Sequence, residues 1–141
     1  LTRMNLLGLY YALDNVKLPG VYLGRLYAQG ECMAIGARKS VGVKDVDHPT
    51  AGVLTVGQQR RVAIAGGIVT NPLVLLADEP TGNLDTAKSI EVMELLRSFN
   101  RDKGITIIMV THDNDMAQFA SRIIHFRDGH IDISESQNDH L

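Results

Sequence analysis

Little in this chain could staple it together, anchor it in a bilayer or draw it to a nucleic acid. There is one cysteine, Cys32, so no disulfide can close within the chain, and a reducing compartment is the simpler expectation. The longest uncharged stretch runs from Val62 to Ala77, 16 residues interrupted by Thr70, Asn71 and Pro72. That is too short and too broken to span a membrane. No charged start followed by an apolar core and a small-residue cleavage site is found at the N-terminus, so no secretory leader is read there. Fourteen basic and 16 acidic residues give a net charge of −2, which offers no electrostatic case for nucleic acid. Internal repeats and low-complexity tracts are absent too. What remains is 141 residues, 45% apolar and 21% charged, with a mean hydropathy near zero. This is the composition of a soluble globular domain, not of a collagen or a disordered tail. The chain opens at Leu1 and not at a methionine, so it is expected to be trimmed or a piece of a longer reading frame.

Charge and pattern divide the chain at about residue 53. Residues 1–53 carry six basic and four acidic side chains, and residues 54–141 carry eight and twelve. The first part lacks a clean apolar period and is punctuated by Gly20, Gly24, Gly30, Gly36 and Gly42, which predicts short helices with loops. Tyr10, Tyr11, Tyr22 and Tyr27 lie there and are expected to pack or to meet a partner.

The second part has a rhythm. Gln58 to Val69 predicts a helix with Val62, Ala65 and Val69 on one face, closed by Asn71-Pro72. Gly66 and Gly67 within it each cost about 1 kcal/mol relative to alanine. Leu73 to Ala77 is a continuous apolar run, the pattern of a parallel strand buried on both faces. Asp85 and Thr86 can cap a helix carrying Ile90, Met93, Leu96 and Phe99. Thr106 to Thr111 predicts a second buried strand, and Asn114 to Ser121 a short helix. Ile123 to Arg127, Asp128-Gly129 and His130 to Ile133 predict a third strand turning back in a hairpin. Strands alternating with helices predict an α/β fold, with a parallel sheet and an antiparallel edge. The tail from Ser134 is polar.

In such sheets ligands bind beyond the carboxyl ends of the strands. The first strand ends in Asp78-Glu79 and the second in Thr111-His112-Asp113. A carboxylate after an apolar strand suits a hard cation such as Mg²⁺, and an adjacent glutamate can polarise water for attack on a phosphate. Either pair alone is weak, since polar residues commonly open loops. Their order in the chain is not weak. Leu54-Thr55-Val56-Gly57-Gln58 comes first, then Asp78-Glu79-Pro80-Thr81-Gly82-Asn83-Leu84-Asp85, then Val110-Thr111-His112-Asp113.

With these motifs the chain resembles the C-terminal part of the nucleotide-binding subunit of ATP-binding cassette (ABC) transporters, nearest to the subfamily of lipoprotein release and macrolide-type export. The similarity covers about Asn5 to Ile131. The resemblance implies a partial P-loop NTPase fold with a helical subdomain at residues 1–53, which contacts transmembrane subunits. Residues 54–141 would then hold the signature helix and the C-terminal part of the ATPase core. It implies that Leu54, Thr55, Val56, Gly57 and Gln58 form the signature loop, whose amides and helix dipole grip an ATP held by a second subunit. Asp78 would hold Mg²⁺, Glu79 would activate the attacking water, and His112 would donate to the γ-phosphate. Asp85 would connect the two sites of the dimer. The implied partners are a second ATP-binding subunit and membrane permease subunits. The implied place is the cytoplasmic face of the cell membrane, reached through those partners.

Departures from the family pattern matter as much. The P-loop G-x-x-x-x-G-K-[ST] is absent. Gly36-Ala37-Arg38-Lys39-Ser40 imitates its end at the wrong spacing and between predicted helices. The family's Q-loop glutamine would fall at Thr2. Thr55 replaces a serine and keeps a hydroxyl, while Val56 replaces a glycine and brings a branched side chain that resists positive φ. An arginine usual in the helix after the signature is replaced at Gly66. Two readings therefore stand: an ATPase portion that is inactive without its P-loop, or a non-hydrolysing remnant that docks on transporter subunits. Cys32, His48, His125, His130 and His140 have no metal-ligand spacing. Glu91 and Glu94 with Arg97 and Arg101 predict a solvated helix face, and Met93, Met109 and Met116 predict core.

Overall fold

The computed structural model describes residues 14–17, 19, 27–42 and 54–136. Residues 14–17 are helical, and Tyr27–Ser40 forms helix α1. Then come α2 (Val56–Ile68), β1 (Val74–Asp78), α3 (Thr86–Lys103), β2 (Thr106–Val110), α4 (Asn114–Ala117), β3 (Arg122–Arg127) and β4 (His130–Ser136). Tyr10, Tyr11, Tyr22, His48, His140 and the Q-loop position Thr2 lie outside the described residues. Gly36 to Ser40 form the last turns of α1, with Ser40 Oγ donating to the Gly36 carbonyl at 3.0 Å. A helix end is no phosphate cradle, so the imitation P-loop is set aside.

β1 and β2 pair in parallel, with Val74 opposite Thr106 and Asp78 opposite Val110. They are joined through α3, whose ends are specified locally. Asp85 accepts from the Lys88 amide at 2.9 Å, and Gly104 closes the helix at φ +66, the left-handed conformation that glycine adopts without strain. Leu75 and Ala77 face inward, beside the half-buried Ile107 and Met109. Leu75, with Ile107 and Met109 against it, packs in one cluster with Val62, Ile64, Ala65 and Ile68 of α2 and Val92, Met93, Leu96 and Phe99 of α3. Met93 and Met116 are buried, as expected of core residues.

Three expectations need correction. The strands are not buried on both faces: Leu73 is 85% exposed, Leu76 65% and Val110 61%. The apolar run is continuous, yet among the described residues only one side of the two-stranded sheet is covered by helices. The hairpin β3–β4 is likewise a separate two-stranded sheet, not an edge hydrogen-bonded to β1–β2. Its turn is as read, with Asp128 at φ +49 and Gly129 at φ +79, a pairing that suits a two-residue hairpin. Finally, Glu91 does not pair along its own helix. Its carboxylate takes Arg61 of α2 at 2.6 Å, so the series is partly an inter-helix tie. Arg61 also donates to the Val41 carbonyl at 3.1 Å, joining α2 to the end of α1.

Candidate functional site

The register that aligns Asp78 with Val110 carries the chain ends beyond them side by side. The Glu79 amide donates to the Val110 carbonyl at 2.8 Å, continuing the ladder by one bond. Glu79 then turns sharply, at φ +46. A non-glycine residue in this region is strained by roughly 1–2 kcal/mol and persists where its surroundings hold it. Here the Glu79 carbonyl accepts from the Gly82 amide at 3.1 Å and from Arg60 Nη1 at 3.1 Å.

The turn aims the carboxylate across to the end of β2. His112 donates its amide to Glu79 Oε1 at 3.1 Å, and its ring Nδ1 lies 2.7 Å from the same oxygen. Thr111 Oγ1 stands 3.4 Å from Oε2. Thr111 and Asp113 fix this strand end in turn. The Asp113 amide donates to Thr111 Oγ1 at 3.1 Å, and Asp113 Oδ1 accepts from the amides of Asp115 and Met116. The hydrogen bond that its ring gives to the Glu79 carboxylate, followed by that group's charge, holds the His112 imidazole above its ordinary pKa. Glu79, Gly82, His112 and Asp113 line an open cavity of about 340 Å³.

Asp78 ends β1 with its side chain exposed. Among the described residues no group of three or more histidine, cysteine or acidic side chains gathers into a metal cage. Asp78 does not line the Glu79–His112 cavity, but one exposed carboxylate at a strand end is of the kind that suits Mg²⁺, which commonly takes one or two protein carboxylates and fills its shell with water and phosphate oxygens.

The signature residues lie elsewhere. Thr55 caps α2 in a reciprocal box: its hydroxyl accepts from the Gln58 amide at 3.2 Å, and the Gln58 side chain accepts from the Thr55 amide at 2.9 Å. Leu54 is 7% exposed and belongs to the core, so its side chain does not face a ligand. Val56 is the first helical residue and is not among the positive-φ positions, so the expected left-handed strain does not arise. Gly57 and Gln58 line a smaller hollow with Lys88 and Glu91, sharing no residue with the Glu79–His112 cavity. Asp85 caps α3 and holds Lys88 Nζ at 2.8 Å, an ion pair that lowers the Asp85 pKa. The predicted site is therefore divided within one chain: Glu79 and His112 meet, with Asp78 one residue before Glu79, while the signature loop and Asp85 stand apart.

A model of the ABC transporter family matches residues 10–82, more than half of the chain. The chain belongs to the ABC transporter family. It is 44% identical over 129 residues to the macrolide export ATP-binding/permease protein MacB of Chlorobium luteolum, covering 91% of this chain and 19% of that protein. It is 38% identical over 137 residues to the ABC transporter ATP-binding protein MJ0796 of Methanocaldococcus jannaschii, covering 94% of this chain and 58% of the relative. The dimeric structure of the MJ0796 cassette superposes with a TM-score of 0.85 at 34% identity, covering 98% of this chain and 61% of that one. A post-hydrolysis dimer of MJ0796 bound to ADP and Pi superposes with a TM-score of 0.84. The chain thus spans about a fifth of its MacB relative and about three fifths of MJ0796.

Arg60 and Thr111 received no role from the sequence. For Arg60 a signal was present: it stands four and eight residues before Ile64 and Ile68 and shares their buried stripe.

Proposed function

We propose that this chain is the signature and Walker B portion of an ABC ATPase that hydrolyses ATP with Mg²⁺ to drive a membrane transporter. The observation that carries the reading is the Glu79–His112 pair, formed at the carboxyl ends of adjacent parallel strands by residues that match the family's catalytic glutamate and switch histidine. Glu79 would accept the proton of the attacking water. His112, with Nδ1 turned to Glu79, keeps Nε2 for an oxygen of the transferring phosphoryl group. Asp78 would hold the cation, which when bound neutralises charge developing on the phosphates. The signature loop and Glu79 line separate hollows, which supports a site completed by a second copy. That the MJ0796 cassettes are dimeric supports a second copy.

In the same reading residues 1–53 form the helical subdomain that meets the permease subunits, as a peripheral cytoplasmic protein. No helix among the described residues is long and apolar enough to cross a membrane. The tie from Arg61 to Val41 supports coupling between that subdomain and the signature helix.

The chain contains no P-loop, whose lysine and amides supply most of the nucleotide grip in this class. The 141 residues alone are therefore expected to show no ATPase activity above background. Joined to a P-loop-bearing N-terminal portion to complete the cassette, they are expected to turn over ATP only with Mg²⁺. Mg²⁺-dependent turnover by the 141 residues, abolished by Glu79→Gln, would overturn the need for the P-loop; a second outcome, no turnover by the completed cassette, would contradict the proposal itself. The second outcome favours the non-hydrolysing interaction module.

A further inference from the structure

We infer that Arg60 is a positioning residue for Glu79, clamping the signature helix α2 to the Glu79–Gly82 turn; this rests on the ATPase reading above. The side chain is buried, at 5% exposure, and reaches out of the core to two carbonyls. Nη1 donates to Glu79 at 3.1 Å and Nη2 to Gly82 at 2.5 Å. These are the two ends of one turn, since the Gly82 amide itself donates to the Glu79 carbonyl at 3.1 Å. A planar guanidinium spans two acceptors at fixed separation, so it holds the turn closed and sets the plane of the Glu79 peptide.

That peptide needs holding. Glu79 sits in the left-handed region at φ +46, where a glutamate does not rest without support. Its side-chain direction, and so its bond to His112, follows from that backbone. Gly82 lies in contact with both partners: a Cβ there would be 3.4 Å from the Glu79 carbonyl and 3.8 Å from Arg60 Nη2, ordinary packing distances. The consequence is directional coupling. Arg60 lies within the first turns of the helix that Thr55 caps, so a displacement of the signature loop pulls on the backbone of the base. A phosphate gripped by the signature loop would in this way adjust Glu79 in the same chain, although the two line separate hollows.

Two measurements test the clamp. In the 141-residue chain, Arg60→Gln should speed amide exchange at Gly82 by about tenfold while the Val92 amide in α3 stays as it was. Equal exchange at Gly82, or a rise spread evenly over the molecule, would overturn the clamp. In the completed cassette, Arg60→Gln should lower kcat by about ten- to a hundredfold with KM for ATP within about twofold, because a small misplacement of a base costs chemistry and not binding. Arg60→Lys, which keeps a donor on one carbonyl, should fall between. A purely structural role would lower Tm and leave kcat intact well below Tm, and that result overturns the inference. Glu79→Gln is the control. If it leaves turnover unchanged, the ATPase reading fails and Gly82 exchange alone decides the clamp. If it abolishes turnover while Arg60→Gln does not slow it, the coupling fails and the reading stands.

Discussion

His112 meets Glu79 twice, through its backbone amide at 3.1 Å and through ring Nδ1 at 2.7 Å, both to the same oxygen Oε1. The amide contact fixes the strand end against the carboxylate whatever the charge of the ring. The ring contact depends on protonation, because Nδ1 must carry a hydrogen to donate.

The His112 pKa is therefore expected above the usual histidine value, for which the cause is the Glu79 hydrogen bond followed by its charge. A group whose folded pKa is raised stabilises the fold fully below its unfolded pKa of about 6.5. That contribution is lost as pH rises through the folded value. NMR titration of the ring should show the raised pKa in the unliganded chain, and Glu79→Gln should return it toward normal. An unchanged midpoint in the Gln variant would show that the pair does not form in solution. In the completed cassette, His112→Ala should slow turnover by roughly 10²-fold or more, as for loss of a preorganised donor.

Gly57 can separate the needs of the fold from those of the proposed phosphate contact. A Cβ there would lie 3.6 Å from Lys88 Cδ, an ordinary contact. Gly57→Ala should thus leave the thermal stability of the 141 residues unchanged or slightly raised. If the phosphates of an opposing nucleotide approach this helix start, the same change should cut ATPase activity in the completed dimer. Equal activity of Gly57→Ala and the parent would place nucleotide elsewhere.

At the neighbouring cap, Thr55→Ala should destabilise the fold by about 1 kcal/mol through loss of the N-cap bond, while Thr55→Ser should keep it. Any ATPase loss in the alanine variant must be judged against the serine one. Val56→Gly is expected to raise activity only by relieving crowding at the exposed Val56 side chain, since no strained φ has to be released. Thermal melts with steady-state rates on these variants separate cap from contact, and an equally destabilised serine variant would refute the cap.

The two glycines of α2 should respond differently to alanine. At Gly66 the nearest atom to a new Cβ is the Asn15 carbonyl at 3.8 Å, so the helix-propensity gain of roughly 0.5–1 kcal/mol should appear in full. At Gly67 a Cβ would come within 2.8 Å of Leu75 Cδ1, in the core where α2 crosses β1. Gly67→Ala should gain less than Gly66→Ala or lose stability. Urea unfolding of both gives the comparison, and a larger gain at Gly67 would contradict the close packing described.

The helices and strands were legible wherever a local rule fixed them. Asp85 as the α3 cap, Asp128-Gly129 as the hairpin turn and Asp78-Glu79 beyond an apolar strand all appear as read. The exposed face of Leu73, Leu76 and Val110 was not legible, because an apolar run reports what a strand can be buried against and not whether the cover is present in the same chain. The Glu79–His112 pair was legible as two residues of catalytic type at strand ends, although their contact follows from register, which no local pattern sets. The Arg61–Glu91 tie joins two helices 30 positions apart, where spacing along one helix carries no signal. Arg60 had a visible phase, but an arginine on an apolar stripe gives no hint of the carbonyls it will meet.

The ATPase reading turns on Glu79 acting as the base. Its most direct test is single-residue: Glu79→Gln in the completed cassette, with ATP binding and steady-state hydrolysis measured side by side. The amide is nearly isosteric and cannot take the proton from water. ATP affinity should stay within about twofold, turnover should fall by roughly 10²-fold or more, and an ATP-bound dimer should accumulate. Full turnover in the Gln variant at equal ATP affinity would contradict the account.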